Sequence, residues 1–173
     1  MKIAIQISDR GAEVRAYGNL GTAHGSLGDH QKAIEYHKKC FKTAMEIGDR
    51  DREGGAYGRL GNTYMSLGDS REAINYHERH SKIAKEIDDR SGEATAYGNL
   101  GSTCGSLGDY RKAIEFFEQH LKIAKEIGEQ AGEGLTYHNI GNAYLSLEQF
   151  ENAVGNFASA VNVFSSLRSL MKS

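Results

Sequence analysis

The sequence contains no proline, so no residue forces a break inside a helix through a fixed φ and a missing N–H group. It contains no apolar run near the ~18 residues that a membrane-spanning helix requires, and its start, MKIAIQISDR, lacks the sustained apolar core of a secretory signal. A formal net charge of −2 provides no basic field, so nucleic acids and anionic membranes are not expected partners. These absences favour a helical protein of the cytoplasm.

Cysteine is also scarce, with Cys40 and Cys104 as the only two in the sequence. They lack the spacing of a redox or metal motif, and they occupy different phases of the repeat described below. This pattern favours two reduced, buried residues in an intracellular protein. A disulfide between them is the alternative.

Motifs of catalysis and cofactor binding are missing as well. The sequence has no Walker-type phosphate loop, no glycine-rich dinucleotide loop and no serine, histidine and aspartate pattern, so we expect neither an enzyme nor a cofactor. Among seven histidines, His77 and His80 share a helical face because they are three residues apart. No third ligand joins them, whereas a structural metal site normally has four. We therefore interpret the histidines as packing residues and expect no metal.

The sequence does contain a motif that recurs every 40 residues. The four copies begin at Tyr17, Tyr57, Tyr97 and Tyr137, and the first reads YGNLGTAHGSLGD. Fixed periods of roughly 20–50 residues are typical of stacked repeats, which bind through extended surfaces. The predicted organisation is a single array made of a partial helix at 1–9, repeats at 10–49, 50–89, 90–129 and 130–173, and a divergent last helix.

Each repeat is predicted to be a helical hairpin. Strand-like alternation is absent, and apolar residues recur at helical spacing. Gly28 suits the left-handed residue that closes a helix, and Asp29 suits the N-cap of the next one. The same pair returns at 68–69 and 108–109, whereas 148–149 is Glu-Gln, where we expect a looser corner. Glycines on the core side, such as Gly101, are expected to let two helices approach closely.

The residues at these positions resemble tetratricopeptide repeats over nearly the whole chain. In the second repeat the matching residues are Tyr57, Leu60, Gly61, Tyr64 and Ala73. The resemblance implies an all-α, right-handed superhelical solenoid of about four hairpins plus a leading partial helix. It also implies a scaffold or adaptor that binds other proteins.

The longer, 40-residue unit is similar to the subclass found in Pins/LGN-type adaptors. Several positions depart from the family pattern: His24, Cys104, His37 and His77 stand where aromatic residues are expected, and the proline that often ends a unit is missing.

The resemblance further implies that one face of each first helix, opposite its core stripe, lines the inside of the superhelix. Asparagine there could pair with both groups of a peptide backbone, glycine lets a backbone come close, and arginine holds carboxylates. The hypothesis is an extended, acid-bearing peptide in this groove. The predicted groove residues are Arg15, Gly18, Asn19, Thr22, Gly58, Arg59, Asn62, Met65, Asn99, Ser102, His138, Asn139, Asn142 and Leu145.

Two alternatives remain open at this point. The asparagines could be structural, bonding to a neighbouring repeat. The protein could also self-associate through its ends, because the last helix adds Val163 and Leu170 to an expected core stripe that includes Phe150, Val154 and Phe164. At the other end, Lys2-Ile3-Ala4 matches the phase of Lys82-Ile83-Ala84, which predicts that the chain begins with the tail of a second helix.

Overall fold

The structure is a computed structural model that describes the backbone of residues 2–170 and the side chains of residues 9–169. Within that range the chain forms helices only, which confirms the predicted all-α repeat fold. The eight helices are α1 (Lys2–Ser26), α2 (His30–Glu46), α3 (Arg50–Ser66), α4 (Ser70–Glu86), α5 (Arg90–Ser106), α6 (Tyr110–Ile127), α7 (Gln130–Ser146) and α8 (Phe150–Leu170). None of these described helices is both long enough and apolar enough to cross a membrane.

The chain divides into two compact units, which we call unit 1 (Met1–Gly92) and unit 2 (Glu93–Ser173). In unit 1, α1 pairs with α2, α3 pairs with α4, and α2 packs against α3. In unit 2, α7 pairs with α8 and α6 packs against α7, while α5 meets α6 where Gly101 faces the ring of Phe117. Each unit therefore contains two helical hairpins.

The expected break after a partial helix at 1–9 is absent from the described backbone, because α1 is continuous from Lys2 to Ser26. At the corresponding places, Gly48 and Gly128 take a positive φ and end the preceding helix. The third corresponding position, Asp88, takes a positive φ as well, whereas position 8 lies within the continuous helix. The side chains at 2–4, on which the expectation rested, lie outside the described residues.

The predicted hairpin corners are confirmed. Gly28 has φ +78°, and the Asp29 carboxylate accepts a hydrogen bond from the backbone N–H of Lys32 at 3.2 Å. Gly68-Asp69 and Gly108-Asp109 repeat this arrangement. The fourth corner keeps the same left-handed conformation without glycine, since Glu148 has φ 58°. That corner is therefore conserved in shape and carries backbone strain.

Each hairpin is held together by one ring placed against one glycine. The ring residue comes from the second helix and the glycine from the first, so an added methyl group on the glycine would clash with the ring. The four pairs are Gly21–His37, Gly61–His77, Gly101–Phe117 and Gly141–Phe157. The close approach predicted for the core-side glycines is thus confirmed.

An arginine also links the beginning and the end of each hairpin in unit 1. Arg50 donates to Glu53, 2.5 Å away in the same helix, and to Glu86 at the end of α4. Arg10 makes the same pair of contacts with Glu13 and Glu46. The repeat sequence therefore brings opposite charges together across 36 residues.

The last helix departs from its expected core stripe. Ala153 and Ala160 are buried, whereas Phe150 and Val154 are 60% and 67% exposed, and Val161 and Phe164 are exposed as well. Among the described helices α8 packs against α7, and this packing leaves part of its apolar stripe exposed. Val163 is half-buried, and Leu170 lies outside the described side chains.

Candidate functional site

An open cleft of about 280 Å³ lies among α1, α2 and α3 in unit 1, and we call it the first cleft. Small and polar side chains make up most of its wall. None of its ten described lining residues is acidic. They are Gly21, Thr22, Gly25, Ser26, His30, His37, Arg59, Asn62, Thr63 and Ser66.

A second cleft, of about 300 Å³, lies among α5, α6 and α7 in unit 2. Each residue of the first cleft has a counterpart 80 residues later that lines this second cleft. The counterparts are Gly101, Ser102, Gly105, Ser106, Tyr110, Phe117, Asn139, Asn142, Ala143 and Ser146. The repeat has therefore built the same recess twice, once in each unit.

The serine and threonine hydroxyls of both clefts already donate to their own helices. Thr22 Oγ1 donates to the Gly18 carbonyl at 3.1 Å, and Ser66 Oγ donates to the Asn62 carbonyl at 3.0 Å. In the second cleft, Ser102 Oγ donates to the Gly98 carbonyl at 2.9 Å. A hydroxyl whose hydrogen is used in this way offers its lone pairs as acceptors. The clefts therefore present hydroxyl acceptors together with asparagine amides, which can both donate and accept.

Three positions give the two clefts a different charge and a different kind of ring. Arg59, His30 and His37 in the first cleft correspond to an asparagine, a tyrosine and a phenylalanine in the second. These counterparts are Asn139, Tyr110 and Phe117. The first cleft is therefore cationic and rich in imidazole, whereas the second is uncharged and aromatic.

The Arg59 guanidinium lies across α1, where Gly18 leaves room for it. A methyl group added to Gly18 would be 3.6 Å from both the guanidinium carbon and one of its nitrogens. Two other arginines of α3 are paired: Arg50 with Glu53 and Arg52 with Asp49. No described carboxylate lies within ion-pair distance of Arg59, so its charge faces the cleft uncompensated.

His37 forms the inner wall of the first cleft and is only 3% exposed. Its Nδ1 is buried without a hydrogen-bond partner. Burial, and then the positive charge of Arg59, lower the pKa of His37 from 6.5 to about 4. The ring is therefore neutral at pH 7, and its Nδ1 has no hydrogen-bond partner within the protein. The Nδ1 of His30, at the mouth of the same cleft, is likewise buried without a partner.

A second pair of buried histidines lies in the neighbouring hairpin of unit 1. His77 is fully buried, and neither of its ring nitrogens has a partner. Burial, followed by the proximity of His80, lowers the pKa of His77 to about 4. The predicted role of the histidines as packing residues is confirmed for His77, which occupies the ring position of its hairpin. No group of three or more His, Cys, Asp or Glu side chains suited to a metal ion occurs among the described side chains.

Six of the fourteen predicted groove residues line the two clefts. They are Thr22, Arg59 and Asn62 in the first and Ser102, Asn139 and Asn142 in the second. The remaining eight line neither cleft: Arg15, Gly18, Asn19, Gly58, Met65, Asn99, His138 and Leu145.

Two of those eight differ from their expected role. Gly18 is buried beneath Arg59, and Gly58 is buried against the ring of His80. They give room to side chains of the protein itself, so their backbones are not open to a ligand.

The predicted groove residues come from the first helices only and therefore omit the lining residues of the second helices. His30 and His37 come from α2, and Tyr110 and Phe117 come from α6. A signal for them exists in the sequence, because positions 30 and 37 are seven residues apart and so lie on one helical face. That face points towards the preceding helix of the hairpin.

Cys40 and Cys104 are both buried, which confirms the expectation that they lie in the core. Burial raises the pKa of the Cys40 thiol. The thiol is therefore protonated at neutral pH, so Cys40 is a packing residue with little nucleophilic character.

Two family models for the tetratricopeptide repeat match the chain. One matches residues 52–126 and the other matches 14–44 and 135–164. Together these ranges cover more than three quarters of the sequence. No curated protein matches the sequence significantly.

Several solved structures share the fold. BtubC from P. vanneervenii aligns with a TM-score of 0.82 at 21% identity, over 90% of this chain and 64% of that one. A signal-transduction ATPase with numerous domains and a tetratricopeptide repeat sensor, from Pyrococcus horikoshii, aligns with a TM-score of 0.81 at 25% identity. The alignment covers 92% of this chain and 25% of that one.

A Rap protein complexed with competence and sporulation factor aligns with a TM-score of 0.72 at 17% identity, over 89% of this chain and 43% of that one. The chain thus spans less than two thirds of the length of each of these three structures.

Proposed function

The chain belongs to the tetratricopeptide-repeat family, and we propose that it is a non-enzymatic scaffold that binds extended peptide segments of other proteins in its two clefts. Acidic segments are the preferred partners in this proposal. The cytoplasm is the proposed compartment, in keeping with two buried thiols that carry no disulfide. The similarity to Pins/LGN-type adaptors stays a prediction.

The observation that carries this proposal is the repetition of one recess in both units. An extended peptide has unpaired N–H and C=O groups along its whole length. Asn62 and Asn142, at equivalent positions of the two clefts, can each donate to a C=O and accept from an N–H. The hydroxyls beside them, such as Ser66 and Ser146, accept because their hydrogens are already used. The clefts therefore suit a peptide backbone better than they suit an apolar small molecule.

The Rap structure supports the same reading at the level of the fold. That protein was solved in complex with competence and sporulation factor. A related architecture therefore holds a second molecule, and we extend this to a peptide segment for the present chain.

The test is affinity selection from a random peptide library on the wild-type protein and on the double variant Asn62→Ala, Asn142→Ala. We expect a motif that the wild type enriches and the double variant loses. Both replaced side chains are exposed, so the melting temperature should be unchanged. Gln119→Ala is the control, because it removes an exposed amide on α6 that lines neither cleft.

A well-folded wild-type protein that enriches no peptide would refute the peptide-binding function. Enrichment that survives in the double variant would place binding elsewhere on the protein.

A second candidate function, self-association, is favoured by the exposed apolar surface of α8. Phe150, Val154 and Val161 are each more than half exposed, and such apolar surface is costly unless a partner covers it. Light scattering as a function of protein concentration tests this candidate. Growth in mass that disappears in Val154→Ser, Val161→Ser would support it, and a constant monomer mass would rule it out.

A further inference from the structure

We propose that the first cleft is a subsite for the side-chain carboxylate of an aspartate or glutamate in the bound peptide, and that the second cleft receives an uncharged side chain. This inference rests on the proposed function and assigns a different chemistry to each cleft. Arg59 holds the carboxylate, and Asn62 and His37 supply further polar contacts in the wall behind it.

The charge of Arg59 is the first argument. Position 59 is arginine, whereas the equivalent positions 19, 99 and 139 are asparagine. No described carboxylate lies within ion-pair distance of the guanidinium, and no acidic residue lines the described cleft. A guanidinium offers paired N–H donors whose geometry matches a carboxylate. The cation is therefore placed for an anion that the protein does not itself supply.

His37 is the second and independent argument. It is 97% buried, it lines the same cleft, and its Nδ1 has no hydrogen-bond partner. Buried polar groups without partners are rare and need an explanation. Phe117 fills the corresponding position of the second cleft, so an apolar ring fits this architecture. A histidine at position 37 therefore places a polar ring, rather than an apolar one, in the wall of the first cleft.

The serine and threonine hydroxyls of the first cleft are not available as donors, which leaves few side chains that could donate to a carboxylate. Thr22, Ser26 and Ser66 donate to backbone carbonyls, so they offer acceptors only. The donors of the first cleft are then Arg59, the Asn62 amide and the imidazoles, which converge on one recess. In the second cleft the asparagine amides are the only side-chain donors besides the Tyr110 hydroxyl among the described lining residues.

The experiment uses heptapeptides that are acetylated and amidated at their ends, so that the only carboxylate is on the central side chain. The pool has randomised uncharged flanks and a central Glu, Gln or Phe. It is applied to the immobilised full chain at pH 7. We expect about tenfold enrichment of central Glu over central Gln, because hydrogen bonds to a charged group are stronger than those to a neutral amide.

Two variants that copy the second cleft provide the decisive comparison. Arg59→Asn should abolish the preference for Glu over Gln, while the variant still retains peptides. His37→Phe should reduce it in part, and it should fold because Phe117 occupies the equivalent slot. Arg71→Asn is the charge-matched control, since Arg71 is exposed on α4 and lines neither cleft; its preference should equal that of the wild type.

The outcomes separate the inference from the function on which it rests. A wild-type protein that retains peptides but does not distinguish Glu from Gln would overturn the carboxylate subsite and leave peptide binding intact. Equal loss of preference in Arg59→Asn and Arg71→Asn would also overturn it, because net charge would then be the cause. A wild-type protein that retains none of the peptides would refute both.

A reciprocal graft provides the strongest positive result. The triple change Asn139→Arg, Phe117→His, Tyr110→His in the Arg59→Asn background gives the second cleft the chemistry of the first. We expect the preference for Glu to return to at least half of its wild-type value. A well-folded graft with no preference would show that the three side chains are not sufficient and would overturn the assignment to these residues.

Discussion

The imidazole of His77 lies directly against the backbone of Gly61, with both ring nitrogens buried and without hydrogen-bond partners. In the next repeat Phe117 stands against Gly101 in the same way. A neutral imidazole and a phenyl ring thus fill the same slot. Only the imidazole carries polar atoms that lose their hydrogen bonds to water.

The change His77→Phe should therefore stabilise the protein. Removing a buried, unsatisfied polar group gains about 1–3 kcal/mol, and the slot already accepts phenylalanine in the following two repeats. Urea unfolding at pH 7 measures the difference in the free energy of unfolding. The reverse change, Phe117→His, is the matched control and should destabilise by a similar amount. A His77→Phe protein that is less stable than wild type would show that the slot of this repeat cannot hold a phenyl ring.

The stability of the wild type should fall as the pH is lowered through the range in which free histidine titrates. The pKa of His37 and of His77 is lowered from 6.5 to about 4, in both cases chiefly by burial. Arg59 adds to the shift at His37, and His80 adds to it at His77. Between these pH values the unfolded chain binds more protons than the folded one, so stability is complete above about pH 6.5 and declines towards pH 4.

Unfolding by urea at a series of pH values from 7 to 4 measures this decline. The double variant His37→Phe, His77→Phe should have a flatter profile in that window. A residual slope is expected, because burial also lowers the pKa of His80 and of His120. Identical slopes in the wild type and the double variant would contradict the assignment of the decline to these two rings.

Replacing Glu148 by glycine should stabilise the last hairpin corner. Glu148 has φ 58°, in the region where Gly28, Gly68 and Gly108 stand in the other repeats. A residue with a Cβ pays roughly 1 kcal/mol for this conformation, so the midpoint of thermal unfolding should rise. Gly108→Ala, which introduces the same strain at an existing glycine corner, should lower it. No change in either variant would indicate that the corner relaxes when the residue changes.

Arg50 and Arg10 make equivalent contacts, but Arg50 should contribute more to the free energy of unfolding. The Glu53 side chain beside Arg50 is 7% exposed, whereas the Glu13 side chain beside Arg10 is 35% exposed. Arg50→Met leaves a buried carboxylate unpaired and should lower the free energy of unfolding. Arg10→Met should lower it less, because exposed ion pairs contribute little and Glu13 still accepts a hydrogen bond from the Tyr17 hydroxyl.

Adding Glu53→Gln to Arg50→Met should recover part of the loss, since the neutral amide is less costly to bury than a carboxylate. Equal losses in the two arginine variants would mean that burial of the carboxylate does not decide the energetics of these pairs.

The helical hairpins could be predicted because several local signals agree at each corner. Gly28 ends one helix and Asp29 caps the next, and the pattern recurs at a constant interval. The continuity of α1 could not be predicted from phase alone. The match between the first residues and residues 82–84 suggested a break, but the break elsewhere depends on a left-handed residue at positions 48, 88 and 128, and position 8 is helical.

The candidate site was predicted less completely, for a geometric reason. A rule that uses only one face of the first helices finds Arg59 and Asn62 but omits His37, whose ring comes from the second helix. The same rule includes Gly18, because periodicity does not reveal that a long neighbouring side chain covers it. The core stripe of α8 was overestimated because an apolar period predicts which residues share a face, whereas burial also requires a neighbour on that face.

Because the lining residues of the two clefts correspond at an interval of 80 residues, each cleft can be compared with its equivalent in the same chain. A tandem array of this kind holds two equivalent recesses, so substitutions can change the chemistry of one while the other keeps its own lining. Substitutions at positions 30, 37 and 59 alter one recess and leave the helices that frame it unchanged. The ligand preference of each recess in such a protein can therefore change separately, without a change of fold.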